Sequence, residues 1–153
     1  MEEGPRALPQ KVIITLKELF YQKGYPENSL FFEPIYFFSL GELSFEFSLA
    51  AVVNFDSKPL LILDYHPSQR GLSSFERPLL SIARLFFDPL PYFAFLTNLS
   101  DFICIEVYTP KILKGTSEIL PNFKDLLAYT PPPLKPYKRE IEEKILAFYL
   151  SGG

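Results

Sequence analysis

A carboxylate and an imidazole stand two residues apart in this chain, Asp64 and His66, directly after four consecutive aliphatic residues, Leu60 to Leu63. Strand neighbours at i and i+2 point to one face, so both side chains would emerge where an apolar strand reaches solvent. Two kinds of role are open to them. The carboxylate would hold a divalent cation while the imidazole serves as general acid or stabilises developing negative charge. Alternatively, the carboxylate caps a turn or pairs with Arg70, and the chain's only histidine is an ordinary surface group. An imidazole titrates near neutrality, so it carries only part of the charge that a lysine would supply there. Arg70, Arg77 and Arg84 form a second candidate group. Arg77 and Arg84 share one helical face and Arg70 leads into it, an arrangement that would offer guanidinium groups to phosphates, as nucleic-acid binding requires. The competing reading is solvation with ion pairs to Glu76 or Asp88. Glu46 is a possible displaced acid, although its alternation with Phe45 and Phe47 is accounted for by a solvent-facing position. Lys135, Lys138 and Arg139 are also clustered, but Glu140, Glu142 and Glu143 follow at once, the pattern of a solvated helix face.

The elements that must position these residues are legible from periodicity. A helix is predicted over residues 9–23, with Pro9 at its start, Gly24 after its end, and Val12, Ile13, Leu16, Leu19 and Phe20 as its stripe. Residues 30–40 read as a strand despite Pro34, Gly41-Glu42 as a turn, and residues 43–55 as the returning strand. Asp56-Ser57-Lys58 turns the chain into the strand 59–65, whose unbroken aliphatic run is expected of a strand covered on both faces. In the following helix Leu79, Leu80, Ile82, Ala83, Phe86 and Phe87 lie on one face, and Arg77, Ser81, Arg84 and Asp88 on the other. Ser73 and Glu76 have capping-box spacing, which would leave Pro78 inside the helix and shifts the expected start by up to a turn. Strands over residues 92–97 and 102–108 come next, then a turn-rich stretch to 136 containing Pro131-Pro132-Pro133. A last helix over residues 138–150 places Ile141, Ile145, Phe148 and Tyr149 on one side, with Glu140 and Lys144 paired on the other. The order is that of an α/β domain built on a mixed sheet flanked by helices, with residues 1–130 as its body and 131–153 as a spacer and terminal helix packing on it or extending from it.

Composition narrows the classes of function. An apolar fraction of 48% in 153 residues supports a sizeable core. A net charge of −3 argues against nucleic-acid binding by bulk charge, though not against a local basic patch. The single cysteine, Cys104, excludes an internal disulfide and a cysteine-rich zinc site, and inside FICIEV it reads as a buried, inert thiol. No run approaches the roughly 18 apolar residues of a membrane span, and the N-terminus lacks the apolar core of a signal peptide. The expectation is a cytoplasmic protein with no membrane partner.

Four stretches carry a family resemblance: QKVIITLKELFYQKGYPENSL, KPLLILDYHP, RGLSSFERPLLSIARLF and PYFAFLTNLSDFICIEVYTPKILKGTSEILP. In order and spacing they resemble the N-terminal domain of type I restriction enzyme R subunits, particularly its short stand-alone relatives, across most of residues 10–121. The resemblance implies a restriction-endonuclease-like core of the PD-(D/E)xK superfamily. There, two acids hold Mg²⁺, and the metal and a lysine activate water and stabilise charge on the scissile phosphate. Carried onto this chain, Asp64 takes the place of the second acid and His66 that of the lysine. The first acid falls at Ala50 or Ala51, neither able to ligate a metal. A first-helix glutamate would fall near Pro5 and Arg6, with Glu2 and Glu3 close by. The resemblance therefore implies a nuclease-like fold with a degenerate site that binds DNA or a protein partner and needs no cofactor. The alternative is an active Mg²⁺-dependent endonuclease with a rearranged site using Asp64 as metal ligand and His66.

Overall fold

The run Leu60–Leu63 lies at the centre of a six-stranded sheet in the computed structural model, which describes residues 7–67 and 71–152. Spatially the strands run β1 (Leu30–Phe32), β4 (Ala51–Phe55), β5 (Lys58–Tyr65), β6 (Phe93–Thr97), β7 (Phe102–Glu106) and β8 (Lys111–Gly115). Every neighbouring pair is antiparallel except β5 and β6, which are parallel. A parallel pair needs a crossover, and helix α2 (Glu76–Phe86) supplies it. The fold is thus mixed α/β, with a mostly antiparallel sheet.

Both faces of the sheet are covered, which explains the lack of alternation in β5. Leu61 and Leu63 pack with Ala51, Val53, Phe95 and Cys104 beneath helix α1 (Gln10–Gln22), whose Val12, Leu16 and Phe20 are buried at i, i+4 and i+8. Ile62 packs on the other face with Val52, Leu96 and Ile105 beneath Leu79, Ile82 and Ala83 of α2. Full burial of each such aliphatic side chain contributes about 1.5–3 kcal/mol. Helix α1 stops where Gly24 turns left-handed (φ 86°), and the Tyr25 amide donates back to the Phe20 carbonyl at 3.0 Å while Gly24 donates to Tyr21, a Schellman ending. Burial also holds the Cys104 thiol protonated: it is pushed up to about 12, first by desolvation and then by the Glu106 charge.

Several sequence expectations need correction. The strands expected over residues 30–40 and 43–55 are each two. Glu33 adopts a positive φ of 57° and Pro34 has no amide to donate, so the chain leaves the main sheet after β1. It then forms a separate hairpin of β2 (Ile35–Leu40) and β3 (Leu43–Ser48) before returning as β4. The inner face of this hairpin sets Tyr36, Phe38 and Phe47 around Phe86 of α2. Pro78 occupies the first turn of α2, where a helix has no intrahelical use for the amide that proline lacks, and a 3₁₀ turn (Leu72–Phe75) precedes it without a capping box. Strand β8 and helix α3 (Phe123–Ala128) occupy a stretch expected to be turn-rich. The last helix, α4 (Arg139–Leu150), has the expected extent but another inward face. Ile141 and Phe148 are 47% and 69% exposed, whereas Glu142, Leu146 and Ala147 are buried. No ion pair forms between Glu140 and Lys144; Arg139 instead meets Glu143 at 3.3 Å.

Candidate functional site

The β4–β5 connection determines where Asp64 emerges. Asp56 and Ser57 both adopt positive φ (53° and 63°), as a two-residue type I′ hairpin turn requires. The turn pairs Phe55 with Lys58 and Asn54 with Pro59, and a register shift between Val53 and Asn54 then sets Ala51 opposite Leu63, the Ala50 amide donating to the Leu63 carbonyl at 3.1 Å. Asp64 and His66 then follow at the carboxyl end of the parallel pair. The pairing continues past the strand, with the His66 amide donating to the Thr97 carbonyl at 3.0 Å.

The structure brings the two sequence candidates together. His66 Nε2 lies 3.2 Å from Asp64 Oδ2, and the Tyr65 amide donates to Oδ1 at 3.1 Å. By alternation Asp64 shares the face of Ile62, that of α2 and α4. The imidazole lies flat on Phe75, with ring centroids 3.6 Å apart, and Phe75 meets Tyr149 of α4 edge-on at 6.0 Å. Tyr149 is pushed up to about 12, by burial first and then by the negative charge of Asp64, so it remains a protonated phenol at neutral pH. Sequence reasoning missed Phe75 and Tyr149, because each reads as one more aromatic on an amphipathic element.

Among the described residues, the donors around Asp64 do not make up a Mg²⁺ centre. Both oxygens of Asp64 already have partners, and among the described residues no group of three His, Cys, Asp or Glu side chains could hold a metal. Ala50 and Ala51 are 1% and 0% exposed and belong to the α1-side core, opposite the face of Asp64. Glu46 lies on the exposed outer face of the β2–β3 hairpin, opposite Phe37. Mg²⁺ keeps several waters and needs more than one carboxylate or a substrate phosphate to be held. Glu2, Glu3 and Arg70 lie outside the described residues.

Arg77 and Arg84 do share a face of α2, and α4 packs against it, leaving Arg77 partly exposed and Arg84 buried. Their partner is Glu142, which the sequence placed on a solvated helix face. Arg77 donates from both terminal nitrogens to the two Glu142 oxygens (2.8 and 3.0 Å), Arg84 donates to Oε2 at 2.8 Å, and Ser81 donates to Oε1 at 2.8 Å. The ring of Tyr137 lies 4.4 Å from the Arg84 guanidinium. Burial alone would raise the Glu142 carboxyl. Hydrogen bonds from Arg77 and Ser81 and the two arginine charges outweigh it and hold the group below its ordinary 4.5. Three polar residues at i, i+4 and i+7 of α2 were the available signal, since such a stripe suits either solvent or a charged neighbour.

Compared with protein-family models, curated proteins and solved structures, the chain finds no match.

Proposed function

We propose that this chain is a restriction-endonuclease-like domain, similar to the N-terminal domain of type I restriction R subunits, in which the fold serves as a binding module and the nuclease chemistry has been lost. The observation that carries the reading is the order of the core: α1, the antiparallel strands β1, β4 and β5, the crossover α2, and β6 parallel to β5. The β2–β3 hairpin is then an insertion between the first two core strands. Asp64 and His66 stand at the end of the third core strand, where the resemblance expects an acid and a lysine. The position of the first acid supports loss of chemistry, since Ala50 and Ala51 are both sealed in the core.

Calorimetric titration of the protein with Mg²⁺ or Mn²⁺ tests this reading. The expected result is no site of micromolar affinity, because one carboxylate already bonded to its neighbours binds such an ion poorly. A micromolar site that disappears in Asp64→Ala would overturn it in favour of a rearranged metal centre.

A further inference from the structure

A cleft of about 440 Å³ opens between α2 and the start of α4, and its charged lining is Arg77, Arg84, Lys135, Lys138 and Glu142. Four cations against one carboxylate leave a surplus of three positive charges, in a chain whose net charge is −3. The surplus is not spent on internal pairing. Glu142 is already shared by two guanidinium groups and a hydroxyl, and Arg84, only 8% exposed, has an Nε–H with no acceptor among the described residues. Arg77 keeps 43% of its side chain exposed at the rim. Lys135 and Lys138 are exposed and have no carboxylate partner among the described residues. The segment that carries them is held in place by the Lys135 amide, which donates to the Tyr108 carbonyl at 2.8 Å. Of the nearby α4 carboxylates, Glu143 is turned to Arg139 and Glu140 is exposed to solvent.

We infer that this cleft is a binding site for phosphate groups, carried either by a nucleic-acid backbone or by a free nucleotide. Paired lysines beside a guanidinium rim suit a multiply charged anion better than a single carboxylate. The inference rests on the reading of the chain as a binding module. It places the contact at the α2–α4 junction, in a cleft whose lining does not include Asp64 or His66.

The test is fluorescence anisotropy with a labelled short DNA duplex at several salt concentrations, using wild type and the double variant Lys135→Ala/Lys138→Ala. Both lysines are exposed and have no carboxylate partner among the described residues, so the variant should fold as wild type does, which circular dichroism checks. The expected result is at least a tenfold loss of affinity and a plot of log K against log salt shallower by about 2, one per lost phosphate contact. The charge-matched control Lys11→Ala/Lys58→Ala should bind as wild type. Displacement of the duplex by ATP and pyrophosphate would identify a nucleotide as the source, and resistance to them a polymer backbone. The inference is overturned if wild type binds no phosphate ligand at low salt, if the double variant binds unchanged or the control falls equally, or if poly-glutamate competes as well as DNA per charge, which would give the cleft to an acidic protein. None of these outcomes bears on the metal titration, so the reading of the core stands or falls separately.

Discussion

Replacing Glu142 by alanine is expected to cost roughly 3–5 kcal/mol of folding stability, the range found when one partner of a buried ion pair is removed. Glu142 and Arg84 have side chains only 2% and 6% exposed, so the variant strands a guanidinium in the interface between α2 and α4. Arg77 contributes less to the loss, because much of its side chain already meets water. In a domain of this size the melting temperature should fall by about 10 °C. Acid should reproduce part of the effect. The folded-state value of Glu142 lies below its ordinary 4.5, so its stabilisation is complete above that pH and is lost as pH falls through the lowered folded value. Thermal melts of Glu142→Gln should lack that acid-dependent component. A Glu142→Ala protein as stable as wild type would mean that α4 is held by Leu146 and Ala147 alone and that the arginine–glutamate cluster contributes nothing.

The second large effect is expected from the attempt to rebuild a nuclease site. Ala51 is fully buried opposite Leu63, and Ala50 is buried beside it, both in the core beneath α1. An aspartate at either position would put an unpaired carboxylate among leucine and phenylalanine side chains, with a penalty of several kcal/mol unless it takes up a proton. Ala51→Asp combined with His66→Lys should therefore melt far below wild type and acquire no Mg²⁺ site, and Ala50→Asp should behave alike. If either aspartate variant keeps wild-type stability and binds Mg²⁺, the strand end is more open than its packing indicates, and the site has decayed by substitution alone.

What was legible in the sequence follows from how each residue is buried. The two-sided covering of β5 was written in Leu60–Leu63, and the stripe of α1 in Val12, Leu16 and Phe20, because uniform or periodic burial leaves a pattern. The separation of β2 and β3 from the main sheet was not legible, since Phe-rich strands look alike whether they join the main sheet or a separate hairpin; only Glu33-Pro34 marked the break. Strand β8 was invisible because Lys111 to Lys114 are all exposed at the sheet edge, so no alternation survives. Helix α4 misled for another reason. Glu140, Glu142 and Glu143 are chemically identical in sequence, and only contact with Arg77 and Arg84 singles out the middle one for burial. At the sheet end, Asp64 and His66 were legible as a pair by their spacing. Their confinement by Phe75 and Tyr149 depends on contacts between distant elements.

On the function proposed above, this core does not hydrolyse DNA. Enzymes of that chemistry lower a very large barrier with metal-bound hydroxide and concentrated positive charge, and losing even one preorganised stabilising group costs about 10²–10³ in rate. Here the resemblance sets Ala50 or Ala51 at the first acid and His66 at the lysine, and His66 lies on Phe75 within 3.2 Å of Asp64. The direct measurement is incubation of supercoiled plasmid with the purified protein in Mg²⁺ and then in Mn²⁺, scored for nicked and linear product. The plasmid is expected to remain supercoiled, indistinguishable from incubation with Asp64→Ala. Metal-dependent cutting by wild type that Asp64→Ala abolishes would contradict it and make Asp64 and His66 the centre of a working, rearranged nuclease site.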